Sequence, residues 1–290
     1  MNRKIKELVL IGILLIGTTS CIFKRDDLEG VDIYTTVYPV EYVVDYLYGY
    51  NSNVSSIYPA EVDLDTYKLT EKQIKNYAKG AVFVYNGKSD EIEIARDLKN
   101  ANSNLKIIDV SHELDYESRV EELWMNPREY LWLAHNVKNG LEEYISNKFI
   151  IEEIEKNYES LNALISGFEA ELSQIPGNAS DKNIVVASNT LKFLENYGFN
   201  VIVLDESLGE IQNSVLLNAK NLIQDGIINY VFILDNDEET DTTRELVSLG
   251  AELVPIRSMT IKSEEDIENG ITYRNMMRDT IEAIKKEVYE

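Results

Sequence analysis

Cysteine and histidine are nearly absent from this chain of 290 residues, which has one Cys and two His. A single thiol excludes an intramolecular disulfide and a cysteine-based zinc ribbon. Two imidazoles exclude a metal centre built from three histidines. Proline (5) and glycine (14) are sparse, and 44% of the residues are hydrophobic, which sets aside disordered and low-complexity classes. Basic side chains are outnumbered 28 to 51, for a net charge of -23, so a nucleic-acid or anionic-membrane surface is not expected. Nucleophile and phosphate-binding motifs are missing as well: there is no G-x-S-x-G, no Cys–His pair, no G-x-G-x-x-G and no P-loop. An enzyme is therefore not expected. What remains is an acidic globular body, long enough for one large or two small domains.

The first thirty residues read as an address. Arg3, Lys4 and Lys6 form a positive start, Leu8 to Ile16 form a short apolar run, and small residues lead to Cys21. The run is signal-peptide length, well under the roughly 20 residues of a membrane-spanning helix. Cys21 stands where a bacterial lipoprotein signal places the thiol to be acylated, although Thr18 occupies the place usually held by Leu. A free thiol behind an ordinary signal is the plainer alternative. Residues 1–20 are thus expected to be removed and 21–30 to form a polar tether. The protein is expected to be exported, on the outer face of the cell membrane, with lipid on Cys21 as its membrane contact.

From Val31 the pattern alternates short strands with helices. Strands are expected at Val31–Val37, Val54–Ile57, Ala81–Tyr85 and Lys106–Val110, with helices after Pro39 and behind the N-cap-like Thr70. After a helix at 128–146, the residues Ile151, Ile154, Tyr158, Leu161, Ile165, Phe168, Leu172 and Ile175 lie on one helical face. This stripe fits either a coiled-coil seam or, with only four heptads and two aromatics in it, a long helix laid across both halves of its own chain. Pro176-Gly177-Asn178 is expected to end it. A second βα set follows, with strands at Ile184–Ala187, Val201–Leu204, Tyr230–Leu234 and Glu252–Ile256 and a last helix from Tyr273 to about Val288. The fold class is α/β: two lobes with mostly parallel sheets (31–147 and 177–290) joined by one long helix (148–176).

Several segments, in order, resemble the solute-binding lipoproteins of zinc and manganese ABC importers. Ile33-Tyr-Thr-Thr-Val-Tyr-Pro39 is similar to that family's opening strand. Pro59-Ala-Glu-Val-Asp-Leu-Asp-Thr-Tyr-Lys-Leu-Thr70 resembles its first metal motif, P-x-G-x-D-P-H-x-[YF]-E-P-T. Ala81-Val-Phe-Val-Tyr-Asn-Gly87 resembles the strand and turn that follow, and Trp124-Met-Asn-Pro127 the end of D-P-H-[VI]-W-[LM]-[DS]-P. Val186-Ala-Ser-Asn189 falls where the family has T-S-H, and Tyr273–Lys286 is similar to its closing helix. The match spans roughly residues 32–288. It implies two α/β lobes on a rigid backbone helix, one divalent metal ion in the cleft as the transported ligand, a permease and an ATPase as partners, and a monomer.

Carried over position by position, the resemblance puts Asp65, Glu122 and Asn189 where the family has histidines. The fourth ligand, an acid, falls on Leu234 without a gap or on Asp235 with a one-residue shift; Asp235 is the chemically sensible choice, with Asp237 and Glu238 near enough to substitute. An all-oxygen set of Asp65, Glu122, Asn189 and Asp235 suits a hard cation such as Mn, Ca or Mg over Zn. Two readings stay open: an altered site that still holds a cation, or a relative that has lost its metal and uses the scaffold for surface interaction or adhesion. A third, a hydrolase in the same envelope, lacks an identifiable nucleophile. His112 reads as a loop histidine, with a weaker reading as a secondary ligand, and His135 as a packing or surface residue of its helix. The many tyrosines of the first half fit helix–sheet seams or a stacking surface. Asp235–Asp241 lacks the glycine and terminal glutamate of a calcium loop and reads as a loop before a helix.

Overall fold

The computed structural model describes residues 28–64, 66–116 and 119–289. Cys21 and Asp65 therefore lie outside the described residues, as do the expected signal segment and most of the tether.

The first lobe contains β1 (Asp32–Thr35), α1 (Tyr38–Tyr48), β2 (Asn53–Ser56), α2 (Glu71–Tyr77), β3 (Val82–Tyr85), α3 (Glu91–Ala101), β4 (Lys106–Asp109), the short α4 (Glu122–Met125) and α5 (Pro127–Tyr144). Its strands are all parallel, in the order β2-β1-β3-β4. Local signals explain the boundaries. Pro39 sits in the first turn of α1, Thr70 and Gln73 cap α2 reciprocally, and the Asn126 side chain caps α5 ahead of Pro127. Gly140 lets α5 approach β4 closely, because a Cβ there would stand 2.5 Å from a side-chain carbon of Ile108.

Then comes α6 (Lys148–Asn178), 31 residues and so roughly 46 Å long at 1.5 Å per residue. Its buried residues are Ile150, Ile154, Leu161, Ile165, Phe168, Leu172 and Ile175. The apolar stripe is consumed inside the chain rather than in a seam with another copy. The helix continues through Pro176 to Asn178, beyond its expected end, since proline near a terminus removes only one ladder bond; the Asn178 side-chain Nδ2 donates to the Gln174 carbonyl at 3.1 Å.

The second lobe repeats the first lobe's strand order. It holds β5 (Asn183–Val186), a 3-10 helix (Asn189–Tyr197), β6 (Asn200–Val203), a 3-10 turn (Glu206–Leu208), α7 (Asn213–Gln224), β7 (Tyr230–Leu234), α8 (Asp241–Ser248), β8 (Glu252–Ile256), α9 (Glu264–Glu268) and α10 (Tyr273–Tyr289). The parallel order is β6-β5-β7-β8. Gly198, at φ 99, closes the 3-10 helix in the left-handed region where a Cβ is penalised.

One apolar core runs from Ile33 and Val82 of the first sheet, through Leu161 and Phe168 of α6, to Ile184 and Phe232 of the second. Each sheet buries its other face in a smaller core, around Phe83 and Leu98 in one lobe and Val185 and Val231 in the other. The long helix is thus the shared floor of both lobes. Among the described residues no helix is long and apolar enough to cross a membrane.

Candidate metal centre

In open parallel sheets, ligands bind beyond the carboxyl ends of the strands, where the strand order reverses. Here those points lie between β1 and β3 in one lobe and between β5 and β7 in the other. Direct bonds set the two ends against each other. The Tyr38 N–H, just past β1, donates to the Thr260 carbonyl at 2.8 Å. The Trp124 indole donates to the Ser258 carbonyl, just past β8, at 2.7 Å. Tyr273 at the start of α10 donates its hydroxyl to the Trp124 carbonyl (2.7 Å), and its N–H donates to the Tyr38 hydroxyl at 3.0 Å. Tyr273 also packs on Tyr130, with ring centroids 4.2 Å apart. Burial pushes both phenols well above their ordinary range, so they stay neutral donors. These contacts form a buried wall where the lobes meet, at the back of the crevice that the resemblance implies.

The mouth of the crevice is charged. Arg119 forks onto Glu121, with Nη2–Oε1 2.6 Å and Nε–Oε2 3.2 Å, and reaches across to the Asp237 carboxylate. The Asn236 amide adds a second crossing to Glu121 Oε1 at 3.4 Å. Burial alone would weaken the charged guanidinium, but hydrogen bonds to Glu121 and Asp237 outweigh it and raise the pKa of Arg119 above its usual value.

The expected ligand positions are distributed as follows. Glu122 opens α4, half-buried, next to Glu121 and two residues before Trp124. Leu234 ends β7 in the core, 1% exposed, and has no donor atom to offer. Asp235 follows it, exposed; its Oδ1 accepts the Ser258 N–H at 2.8 Å, and it lines a cavity of about 370 Å³ with Arg257, Ser263 and Asp266. In that cavity Arg257 is held by both oxygens of the buried Asp266, at 2.7 and 2.8 Å. Asn189, the first residue of the 3-10 helix, lines a different cavity of about 250 Å³ with Lys192 and Asp205. The structure therefore places Glu122 and Asp235 on the segments that meet at the crevice, while Asn189 and Asp235 line separate cavities. Among the described residues, no three His, Cys, Asp or Glu side chains stand close enough to hold a metal ion; Asp65 is not among them.

The two histidines are accounted for without a metal. His112 is a loop residue with its side chain 76% exposed, and its carbonyl accepts the Asn136 amide. His135, on α5, packs against Trp132 of the same helix and Tyr158 of α6, with Nε2 3.0 Å from the Asn139 amide. The 235–241 segment is a loop before a helix, ending in the Thr240–Thr243 capping box of α8.

Two parallel α/β lobes share one bracing helix, and segments beyond the carboxyl ends of their strands are in direct contact. Residues 33–287 match the family described as ZnuA, zinc-uptake complex component A, periplasmic, and the chain belongs to that family. No curated protein sequence matches it. Among solved structures, the Zn(II)-bound ZnuA-like domain of Streptococcus pneumoniae AdcA is 18% identical, covering 90% of this chain and 100% of that one at a TM-score of 0.71. The metal-dependent lipoprotein YcdH from Bacillus subtilis is 17% identical, covering 90% and 100% at 0.72. A Mn-bound mutant of a periplasmic metal binding protein from Candidatus Liberibacter asiaticus is 15% identical, covering 88% and 98% at 0.69. At these identities the likeness is one of fold.

Proposed function

We propose that the protein is a lipid-anchored, extracytoplasmic solute-binding protein that hands a divalent cation to an ABC permease and its ATPase, and that it is a receptor rather than an enzyme. The observation that carries this reading is the family match over residues 33–287, joined to a crevice whose lips bear Glu122 and Asp235. The ligand set we propose is Asp65, Glu122, Asn189 and Asp235, with the cation entering as cargo. Support for Asp235 over Leu234 comes from burial, since the leucine points into core and the aspartate into a cavity. Asn189 would have to turn from its present cavity to join the set. Oxygen donors favour Mn or another hard cation over Zn, whereas relatives of the fold are described as bound to either Zn or Mn. The name of the Bacillus subtilis relative, a metal-dependent lipoprotein, supports the role given to Cys21.

A cation that binds only the folded chain raises its melting temperature. Mn is expected to raise the Tm of the wild type, and Asp65→Ala or Glu122→Ala to abolish the rise while leaving the metal-free Tm in place. Equal Tm values with and without cation in all three proteins would instead select the second reading, a metal-free surface interaction or adhesion protein. That reading draws its one specific support from Arg119, which already places a positive charge on the crevice carboxylates.

A further inference from the structure

The crevice mouth gathers carboxylates from both lobes, and the structure already supplies their counter-charge. Glu121 has a side chain only 6% exposed, Asp237 22%, and Arg119 33%. Two carboxylates drawn together at that burial repel unless a cation sits between them, and the Arg119 guanidinium does so. It grips Glu121 with two nitrogens and crosses the crevice with a third. A solvent-exposed ion pair would matter little. This one is different, because the Glu121 carboxylate is almost fully withdrawn from water, and a forked arginine fixes direction as well as charge. The clasp ties the segment that opens α4, containing Glu122, to the loop after β7, containing Asp235, which are the two lips of the proposed cation site.

We propose that Arg119 is the crevice's own tethered cation: it holds the lips together and sets the affinity with which a divalent ion can enter. The second half rests on the metal-receptor reading; the first does not. An incoming cation meets carboxylates two of which are already neutralised, so Arg119 weakens and filters binding. Without it the lips would part, and the freed carboxylates would attract a divalent ion more strongly.

The test uses hydrogen exchange on the full chain after chelator treatment, comparing wild type, Arg119→Gln and Asp237→Asn. The clasp predicts that amides in 119–125 and 235–240 exchange about tenfold faster in Arg119→Gln, as the local opening free energy falls, with α6 unchanged. Asp237→Asn, which keeps the Arg119–Glu121 fork and removes only the negative charge of the Arg119–Asp237 crossing, should speed 235–240. If Arg119→Gln exchanges fast everywhere, the protein has lost its fold and Asp237→Asn decides alone. Wild-type rates in the lips of the folded variants overturn the clasp. In a second arm, Mn should bind Arg119→Gln about tenfold more tightly than wild type, the effect of removing one charge at the edge of a half-buried site; equal or weaker Mn binding overturns the filter. If Mn binds none of the three proteins, the filter falls together with the metal-receptor reading, while the exchange arm still decides the clasp.

Discussion

The indole of Trp124, in the first lobe, donates a hydrogen bond to the carbonyl of Ser258, in the second, at 2.7 Å. Trp124 is 1% exposed, and its own carbonyl accepts the Tyr273 hydroxyl at the same distance, 2.7 Å. One side chain and its backbone thus pin α4 to the segment after β8 and to α10. Ser258 is held from the other side as well, since its N–H donates to Asp235. The tryptophan therefore links the back wall of the crevice to one of the proposed ligands through a single intervening residue.

Replacing Trp124 with Phe removes the indole N–H and leaves the Ser258 carbonyl unpaired in a dry seam, besides opening a small cavity. The expected cost is about 2–4 kcal/mol of unfolding free energy. Urea titration should show the midpoint falling with an unchanged slope. A variant as stable as the wild type would show that the seam does not hold the lobes.

Glu91 gives the stability curve a pH signature. It is 8% exposed and accepts the Asn86 N–H at 2.7 Å. Burial, the larger effect, pushes its pKa from 4.5 to about 7, with the Asn86 hydrogen bond pulling the other way. The folded chain thus holds this proton more tightly than the unfolded chain does. Its contribution is full below pH 4.5 and is lost as pH rises through about 7. Glu91→Gln stays neutral and its side-chain oxygen still accepts from Asn86. It should therefore match the wild type near pH 4 and exceed it at pH 8, by on the order of 2–3 kcal/mol. Denaturation curves that run parallel across that range would contradict the assignment.

Acylation of Cys21 predicts that the exported wild type takes up labelled palmitate in a bacterial host and that Cys21→Ser does not. An unlabelled wild type would reduce residues 1–20 to an ordinary signal.

Much of the architecture is written in local patterns. The 3-and-4 spacing along α6 is readable because a helix shared by two lobes needs one unbroken apolar face. The all-buried runs Val82–Tyr85 and Tyr230–Leu234 are readable because central parallel strands have no wet side. Other features are not. α3 escapes because its buried side is narrow, Glu91, Ala95 and Leu98 on an otherwise charged helix. Asn189–Tyr197 has the composition of a helix but winds as a 3-10 helix, a distinction that side-chain spacing does not encode over nine residues. The Arg119–Asp237 crossing joins positions 118 apart, and nothing near either residue signals the other. Motif positions locate a residue along the chain but not the direction of its side chain, which for Asn189 lines a cavity with Lys192 and Asp205.

We have proposed that this crevice, with oxygen donors where the family's motifs have histidine, takes a divalent cation. Calorimetric titration of the chelator-treated full chain with Mn, Zn, Ca and Mg tests it most directly. One ion per chain is expected, with a hard cation preferred over Zn and loss of the heat signal in Glu122→Gln. Binding no tighter than millimolar to all four would contradict it.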